Sequence, residues 1–399
     1  MRIAIFSDTF PPQVNGVASV VRDSVAALAA EGHDVAVFTV GNTSRTERTE
    51  SGATYAVKKL PSLPVPKFIY HGDSYAFAFP PGIGTLRALK KFKPDIIHTH
   101  TPFFAGWGAV LGKKMCAVPL VGTHHTFYDD YLKHVKMDYS WGKKMSWKYT
   151  IAYYNRADIV TSPSRALGSG LQDHGLTCPL QIMPNPVNVE FFVPPASAAG
   201  KKNLKGRFGA GKRSIVYMGR VSYEKDIDQT IRAFGIASRD LPDMTLMIVG
   251  DGPERRRLES LAKELGVDGK IVFTGMLHRE DLRAALQAND IFITASRSEN
   301  MPVSVVEAMA CGLPVASVNA KGIPEIVIHG KNGLLAEPDR PELLAQAIIQ
   351  LFSAPVGLAK KGAASRKLAE QYSKKNIAGQ TVKLYEQAIA HKINHPHNK

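Results

Sequence analysis

Short apolar runs alternate with helical patterns along almost all of the 399 residues, and the alternation is broken only once. Before the break the runs are Arg2–Phe6, Asp34–Thr39, Asp95–His98, Leu120–Thr123 and Asp158–Thr161. After it they are Ser214–Met218, Thr245–Val249, Lys270–Thr274, Asp290–Thr294 and Pro314–Val318. Most are continuous Val/Ile stretches, which predicts parallel strands buried on both faces. Between the first two runs, Val17, Val20, Val21, Val25 and Leu28 recur at threes and fours, predicting a helix from about Gly16 to Glu31. The break, Pro184–Gly200, is proline-rich and ends in SAAG, as a linker would.

Two such arrays predict an α/β chain of two doubly wound, Rossmann-like domains, residues 1–187 and 188–373. Val382, Tyr385 and Ile389 continue a helical pattern in the tail, so residues 374–399 are expected to cross back and complete the first domain. Ligands of such sheets bind beyond the carboxyl ends of the strands, so two domains facing across a cleft would hold a ligand between them.

The net charge is +15. Residues 1–187 carry 20 Lys/Arg against 13 Asp/Glu, and residues 113–156 alone carry 8 against 3. A basic surface attracts nucleic acid, anionic lipid or anionic small molecules, and charge does not choose among them. No recognised nucleic-acid module accompanies it, so nucleic acid is not an expected partner. The apolar run before Ser7 and Asp8 is too short for a secretory signal, and no window approaches the about 18 apolar residues of a membrane span. A cytoplasmic protein is expected. Cys116, Cys178 and Cys311 share no metal-ligand spacing, and Cys116 and Cys311 lie in apolar helical settings where a buried thiol is expected. A nicotinamide-dependent oxidoreductase would want G-x-G-x-x-G in its first strand-to-helix turn, which here reads SDTFPPQVNG.

The most specific motif is SRSENMPVSVVEAMACGLPV, residues 296–315. It follows the strand DIFITA and opens a helix, with Pro302 at a favoured first position. The amides of a helix start favour a diphosphate, so Asn300, Met301, Pro302 and Val303 are expected to line an anionic ligand. Glu307, one turn further in, can accept two hydrogen bonds from a ribose diol. Glu299, in the loop, can reach sugar hydroxyls. An isolated pair of glutamates is more often solvent-facing, and it is the surrounding pattern that singles these out.

The second motif, YMGRVSYEKDID at residues 217–228, is again strand, glycine turn and helix. Gly219 lets the backbone approach a ligand, while Arg220 and Lys225 put two cations near one strand end, where they can neutralise a leaving diphosphate. In the third, IVGDGPERRRL at residues 248–258, Gly250 and Gly252 turn sharply in a way that suits close packing against a nucleotide, and Arg255, Arg256 and Arg257 read as a solvated helix face. Asp226 and Asp228 form a superficial DxD metal motif, but capping and the helix dipole account for carboxylates at a helix start. Neither a metal nor any other cofactor is expected.

Together these segments resemble the donor half of the retaining family 4 glycosyltransferases of the GT-B fold, and the resemblance extends over essentially the whole chain. It is most specific at Glu299 and Glu307 with the EAMACGLPV continuation, and it includes the phosphate clamp of Arg220 and Lys225. The family commonly has Gly-Phe after the first glutamate, where this chain has Asn300 and Met301. The resemblance implies that Glu299 touches the donor sugar, that Gly16 lies beside the donor phosphate, and that His125, followed by Thr126, stands near the anomeric centre. His124 is the neighbour that would serve if the register shifts by one. The resemblance also implies transfer on the face the diphosphate leaves, with the leaving phosphate taking the acceptor proton.

Residues 131–156 mix cations with aromatics, and Trp141, Met145 and Tyr149 fall at helical spacing beside Lys143, Lys144 and Lys148. Such a segment can lie in an anionic membrane interface, or pack its aromatics into the core with its lysines in water. The runs at His98–Phe103 and His125–Asp130 look like those of bacterial diacylglycerol glucosyltransferases within the family. The expected reaction is hexose transfer, from UDP-glucose, to a membrane lipid such as diacylglycerol at the inner face of the cell membrane. The alternatives are a GDP-mannose-dependent mannosyltransferase acting on phosphatidylinositol or a polysaccharide precursor, and a non-catalytic nucleotide-sugar sensor.

Overall fold

A computed structural model describes the chain except residues 14, 41–43, 65–75, 79–81, 128–138 and 395–399. The chain divides into two compact units, Met1–Pro186 with Lys374–Lys399, and Val187–Ser373.

The first unit is built on an eight-stranded sheet. Its order is Leu180–Ile182, Ile159–Ser162, Leu120–Thr123, Ile96–Thr99, Arg2–Ser7, Asp34–Thr39, Thr54–Lys59 and Arg45–Arg48. Every pairing is parallel except the last, where Arg45–Arg48 runs antiparallel to Thr54–Lys59. The continuous apolar runs have their physical reason here. On strand Arg2–Ser7, Ile3 and Ile5 enter one core and Ala4 and Phe6 enter another, on opposite faces of the sheet. Asn15 caps the helix Gly16–Ala30, its Oδ1 accepting from the Ala18 amide at 2.8 Å. That helix buries Val21, Val25 and Leu28 in the same core as Leu384, Tyr385 and Ala388 of the C-terminal helix Lys374–Asn394.

The second unit is a six-stranded, wholly parallel sheet ordered Ile271–Gly275, Met244–Val249, Arg213–Met218, Ile291–Thr294, Val315–Val318 and Gly333–Ala336. Ile215 and Tyr217 face one core, Val216 and Met218 the other. Both sheets are doubly wound. From Arg213–Met218 the chain adds two strands on one side, then returns to add Ile291–Thr294 on the other. The first sheet reverses in the same way between Arg2–Ser7 and Ile96–Thr99. At such a reversal the loops leaving two adjacent strands diverge and open a crevice at their carboxyl ends.

The ten expected strands form within a residue of the expected bounds. Strands Arg45–Arg48, Thr54–Lys59, Leu180–Ile182 and Gly333–Ala336, and the small pair Ser62–Pro64 with Ala76–Ala78, are additions. Cys311 is buried, but Cys116 is only partly so, contrary to expectation, because it ends the helix Phe104–Cys116 near the surface. Among the described residues no single helix is long and apolar enough to cross a membrane.

Candidate active site

In the second unit the sequence motifs converge on the reversal point of the sheet. Gly219 and Arg220 follow strand Arg213–Met218, and the chain then makes a tight turn at Tyr223–Lys225 before the helix Ile227–Asp240. The loop after Ile291–Thr294 carries Glu299 and ends at the helix Val303–Ala310. The two loops meet: Lys225 Nζ donates to Glu299 Oε1 at 2.7 Å, and both side chains are mostly shielded from solvent. Ser298 Oγ donates to the Glu224 carbonyl at 2.9 Å, and the Glu299 carbonyl accepts from the Gly322 amide at 3.1 Å. Asn300, Met301 and Pro302 are buried, whereas Glu307 is half-buried one turn into the helix and Arg220 is exposed.

Three expectations change. Pro302 is the cap of its helix rather than the first helical residue, which is Val303. Asp226 makes no side-chain cap. Its carboxylate is held by Arg297, with Nη2 at 3.0 Å, Nε at 3.1 Å and the Arg297 amide at 3.2 Å, and Arg297 also reaches Asp339 at 2.7 Å. Asp226 sits at φ +48°, a left-handed conformation unfavourable to a residue with a Cβ, and the fork of Arg297 holds it there. Gly250, at φ +134°, answers to its own chain, because a Cβ there would overlap the Gly219 carbonyl oxygen. Gly250 therefore lets the chain pass behind the turn that bears Arg220.

The first unit gathers a different chemistry at its own reversal point. His98 ends up on the same face as His100, two residues on, with ring centroids 4.2 Å apart. His100 Nδ1 lies 2.9 Å from His125 Nε2. His98 bonds through Nδ1 to the Tyr385 hydroxyl and through Nε2 to Thr123 Oγ1, both at 2.6 Å. His124 and His125 follow strand Leu120–Thr123, and His124 packs against Trp147 and Tyr154. All four imidazoles are buried. Burial drives His125 down to about 4, and burial together with the charge of His125 drives His98 and His124 to about 3. His100 lies well below its usual value, by burial first and then by its two histidine neighbours. At neutral pH these rings are uncharged. Beside them, Asp8 accepts from Thr101 Oγ1 at 2.6 Å and from the Ala105 amide at 2.9 Å, and burial raises its carboxyl pKa. Gly16 opens its helix, and a Cβ there would meet nothing within 4 Å, so packing within its own unit does not require a glycine.

Sequence reasoning missed Arg297, His100, His98 and Asp8. The spacing of His98 and His100 was the available signal, since alternate residues of a strand share a face. Among the described residues, no three or more His, Cys, Asp or Glu side chains are gathered as a metal site.

Two family models cover most of the chain: Glycosyltransferase Family 4 over residues 14–191 and Glycosyl transferases group 1 over residues 201–376. The alpha-monoglucosyldiacylglycerol synthase of Streptococcus pneumoniae is 29% identical over 324 residues, 79% of this chain and 70% of that protein. A GDP-mannose-dependent alpha-mannosyltransferase of Mycolicibacterium smegmatis is 29% identical over 356 residues, 88% of each. The crystal structure of Anabaena HepE in complex with UDP has the same fold, with a TM-score of 0.76 at 19% identity, covering 97% of this chain and 100% of that one. Two doubly wound units with these matches define a glycosyltransferase of the GT-B fold. Within that class, the chain belongs to the retaining glycosyltransferases of family 4 and resembles the diacylglycerol glucosyltransferases.

Proposed function

We propose that the chain moves glucose from UDP-glucose, with retention, to a membrane lipid such as diacylglycerol, acting as a peripheral protein on the inner face of the cell membrane. The observation that carries the donor side is the 2.7 Å contact between Lys225 and Glu299 at the strand reversal of residues 187–373. It puts a cation suited to a leaving diphosphate against a carboxylate suited to sugar hydroxyls. In this reading Arg220 and Lys225 neutralise the diphosphate in place of a divalent ion, and the amides at Val303 add the positive end of a helix. Glu307 takes the ribose hydroxyls and Glu299 the sugar. Gly219 keeps backbone and ligand close with Gly250 packed behind its turn, Asn300, Met301 and Pro302 shape the loop, and Gly16 leaves room for the donor phosphate. His125 hydrogen-bonds a hydroxyl near the anomeric carbon.

The acceptor side rests on the helix Ser140–Tyr154. Trp141, Met145 and Tyr149 are exposed on it, with Lys144 and Lys148 exposed beside them. Trp107 Nε1 donates to the Tyr149 hydroxyl at 3.0 Å, which ties this helix to Phe104–Cys116, where Leu111 and Met115 are also exposed. Apolar side chains interspersed with lysines suit an anionic bilayer surface. Residues 131–138 of the basic segment lie outside the described residues.

A second reading, mannose transfer from GDP-mannose, is favoured by the mycobacterial relatives named for that donor. Release of nucleoside diphosphate from UDP-glucose and from GDP-mannose, with and without diacylglycerol vesicles, separates the two. The proposal expects UDP release that depends on the vesicles. GDP release alone would replace it with the second reading. Binding of either donor without turnover on any lipid or glycan would instead make the chain a sensor.

A further inference from the structure

We infer that His100 is a positioning residue that fixes the tautomer of His125: His100 donates from Nδ1 to His125 Nε2, so His125 carries its own proton on Nδ1. The role in transfer rests on the reading of His125 given above, whereas the tautomer itself rests only on the geometry of the first unit.

At 2.9 Å the two nitrogens share one proton in a hydrogen bond, and two arrangements are available. If His125 donated, neutral His100 would have to carry its proton on Nε2. That atom is buried, and among the described residues it has no hydrogen-bond partner. A buried N–H without an acceptor is rarer in folded proteins than an under-used acceptor. If His100 donates from Nδ1, only a lone pair is left at that buried position. Protonating both rings would avoid the choice, but it would place two charges side by side in a desolvated site. The donor arrangement is the least costly.

The ring of His100 is held where it can do this. It lies against His98, the two rings tilted by 31°, and both nitrogens of His98 are engaged, by Tyr385 and by Thr123, while Thr123 Oγ1 in turn meets Thr161 Oγ1 at 2.6 Å. His100 and His125 are themselves near-parallel, with ring centroids 5.2 Å apart. A residue of the C-terminal helix, Tyr385, thus anchors a row of rings that ends at His125. Since the bond made at one imidazole nitrogen decides which nitrogen is protonated, the row makes His125 a hydrogen-bond donor through Nδ1 and not a proton acceptor there.

The test is a long-range proton–nitrogen spectrum of the full chain labelled with nitrogen-15 in histidine, at neutral pH, assigned with His125→Asn and His100→Asn. The expected native spectrum shows His125 protonated at Nδ1 and unprotonated at Nε2. An Nε2–H signal for His125 in the native chain would overturn the assignment. In His100→Phe the His125 pattern should shift toward Nε2–H, and in His100→Asn, whose amide can replace the lost donor, it should persist. In transfer assays His100→Phe should lower kcat about 30-fold with donor KM within about twofold, and His100→Asn should recover most of the loss. A native kcat in His100→Phe would overturn the positioning role. If His125→Ala itself turned over at the native rate, the placement of His125 at the transfer site would be wrong, while the spectrum would still decide the tautomer.

Discussion

At the strand ends of residues 187–373 the polar groups are charged and paired: Lys225 with Glu299, Arg297 with Asp226 and Asp339. At the strand ends of the first unit the polar groups include four buried, neutral imidazoles pushed far below their usual range. In the proposed reading, the first of these sheet ends exchanges the Glu299 counterion of Lys225 for a phosphate, with the lysine already held in place. In the same reading, the other presents neutral imidazoles to hydroxyl groups, beside the buried carboxyl of Asp8. The same doubly wound architecture thus carries two chemistries, and the difference lies in the few residues that follow each strand.

The contrast is broken most directly by removing the charges on one side. Arg220→Ala combined with Lys225→Ala should lower transfer by about ten-thousand-fold, since each preorganised cation contributes roughly a hundredfold. Nucleoside diphosphate release measures this, and near-native turnover would show that the charges are not what the reaction uses.

Acid sharpens the contrast from the other side. A histidine whose folded pKa is depressed binds a proton more readily in the unfolded chain, so its contribution to stability is intact above the unfolded value near 6.5 and is lost as pH falls from there toward the folded value. For His98, His124 and His125 the window runs from about 6.5 to between 3 and 4. Each should cost on the order of 1 kcal/mol between pH 6.5 and 5.5. Hydrogen exchange should therefore show the first unit opening several kcal/mol more easily at pH 5.5 than at pH 7.5. Residues 187–373 should change much less, because their Asp290, held below its usual range by Lys201 and Lys205 against the opposing effect of burial, loses its stabilising charge only at lower pH. Equal loss in both units would contradict the account.

Smaller effects test the finer assignments. Glu307→Ala should weaken donor binding about 30-fold by calorimetry, the loss of charge-assisted bonds to a ribose, with the melting temperature nearly unchanged. Lys144→Glu with Lys148→Glu should reduce flotation on anionic vesicles by about fivefold or more per residue at low salt and leave donor binding intact. Unaltered flotation would remove the membrane from the acceptor side.

How much of this could be read from the sequence differs between fold and site for a physical reason. Strands such as Ile291–Thr294 announce themselves because both faces are buried and every residue but the last is apolar. Arg45–Arg48, at the antiparallel edge, has the sequence RTER and no such constraint, so it left no mark. Glycine turns and the positions of Glu299 and Glu307 are local and were legible. Partnerships across the chain were not: Lys225 and Glu299 are 74 residues apart, His98 and Tyr385 are 287. Asp226 shows the same limit, since its place at a helix start suggested a cap while a distant arginine took its carboxylate.

A crystal of the chain grown with UDP would show where the charge of the nucleotide rests. The account requires the diphosphate within hydrogen-bonding distance of the side chains of Arg220 and Lys225, with the ribose hydroxyls on Glu307. Diphosphate oxygens bound away from both cations, or held by a metal ion on Asp226 and Asp228, would contradict it.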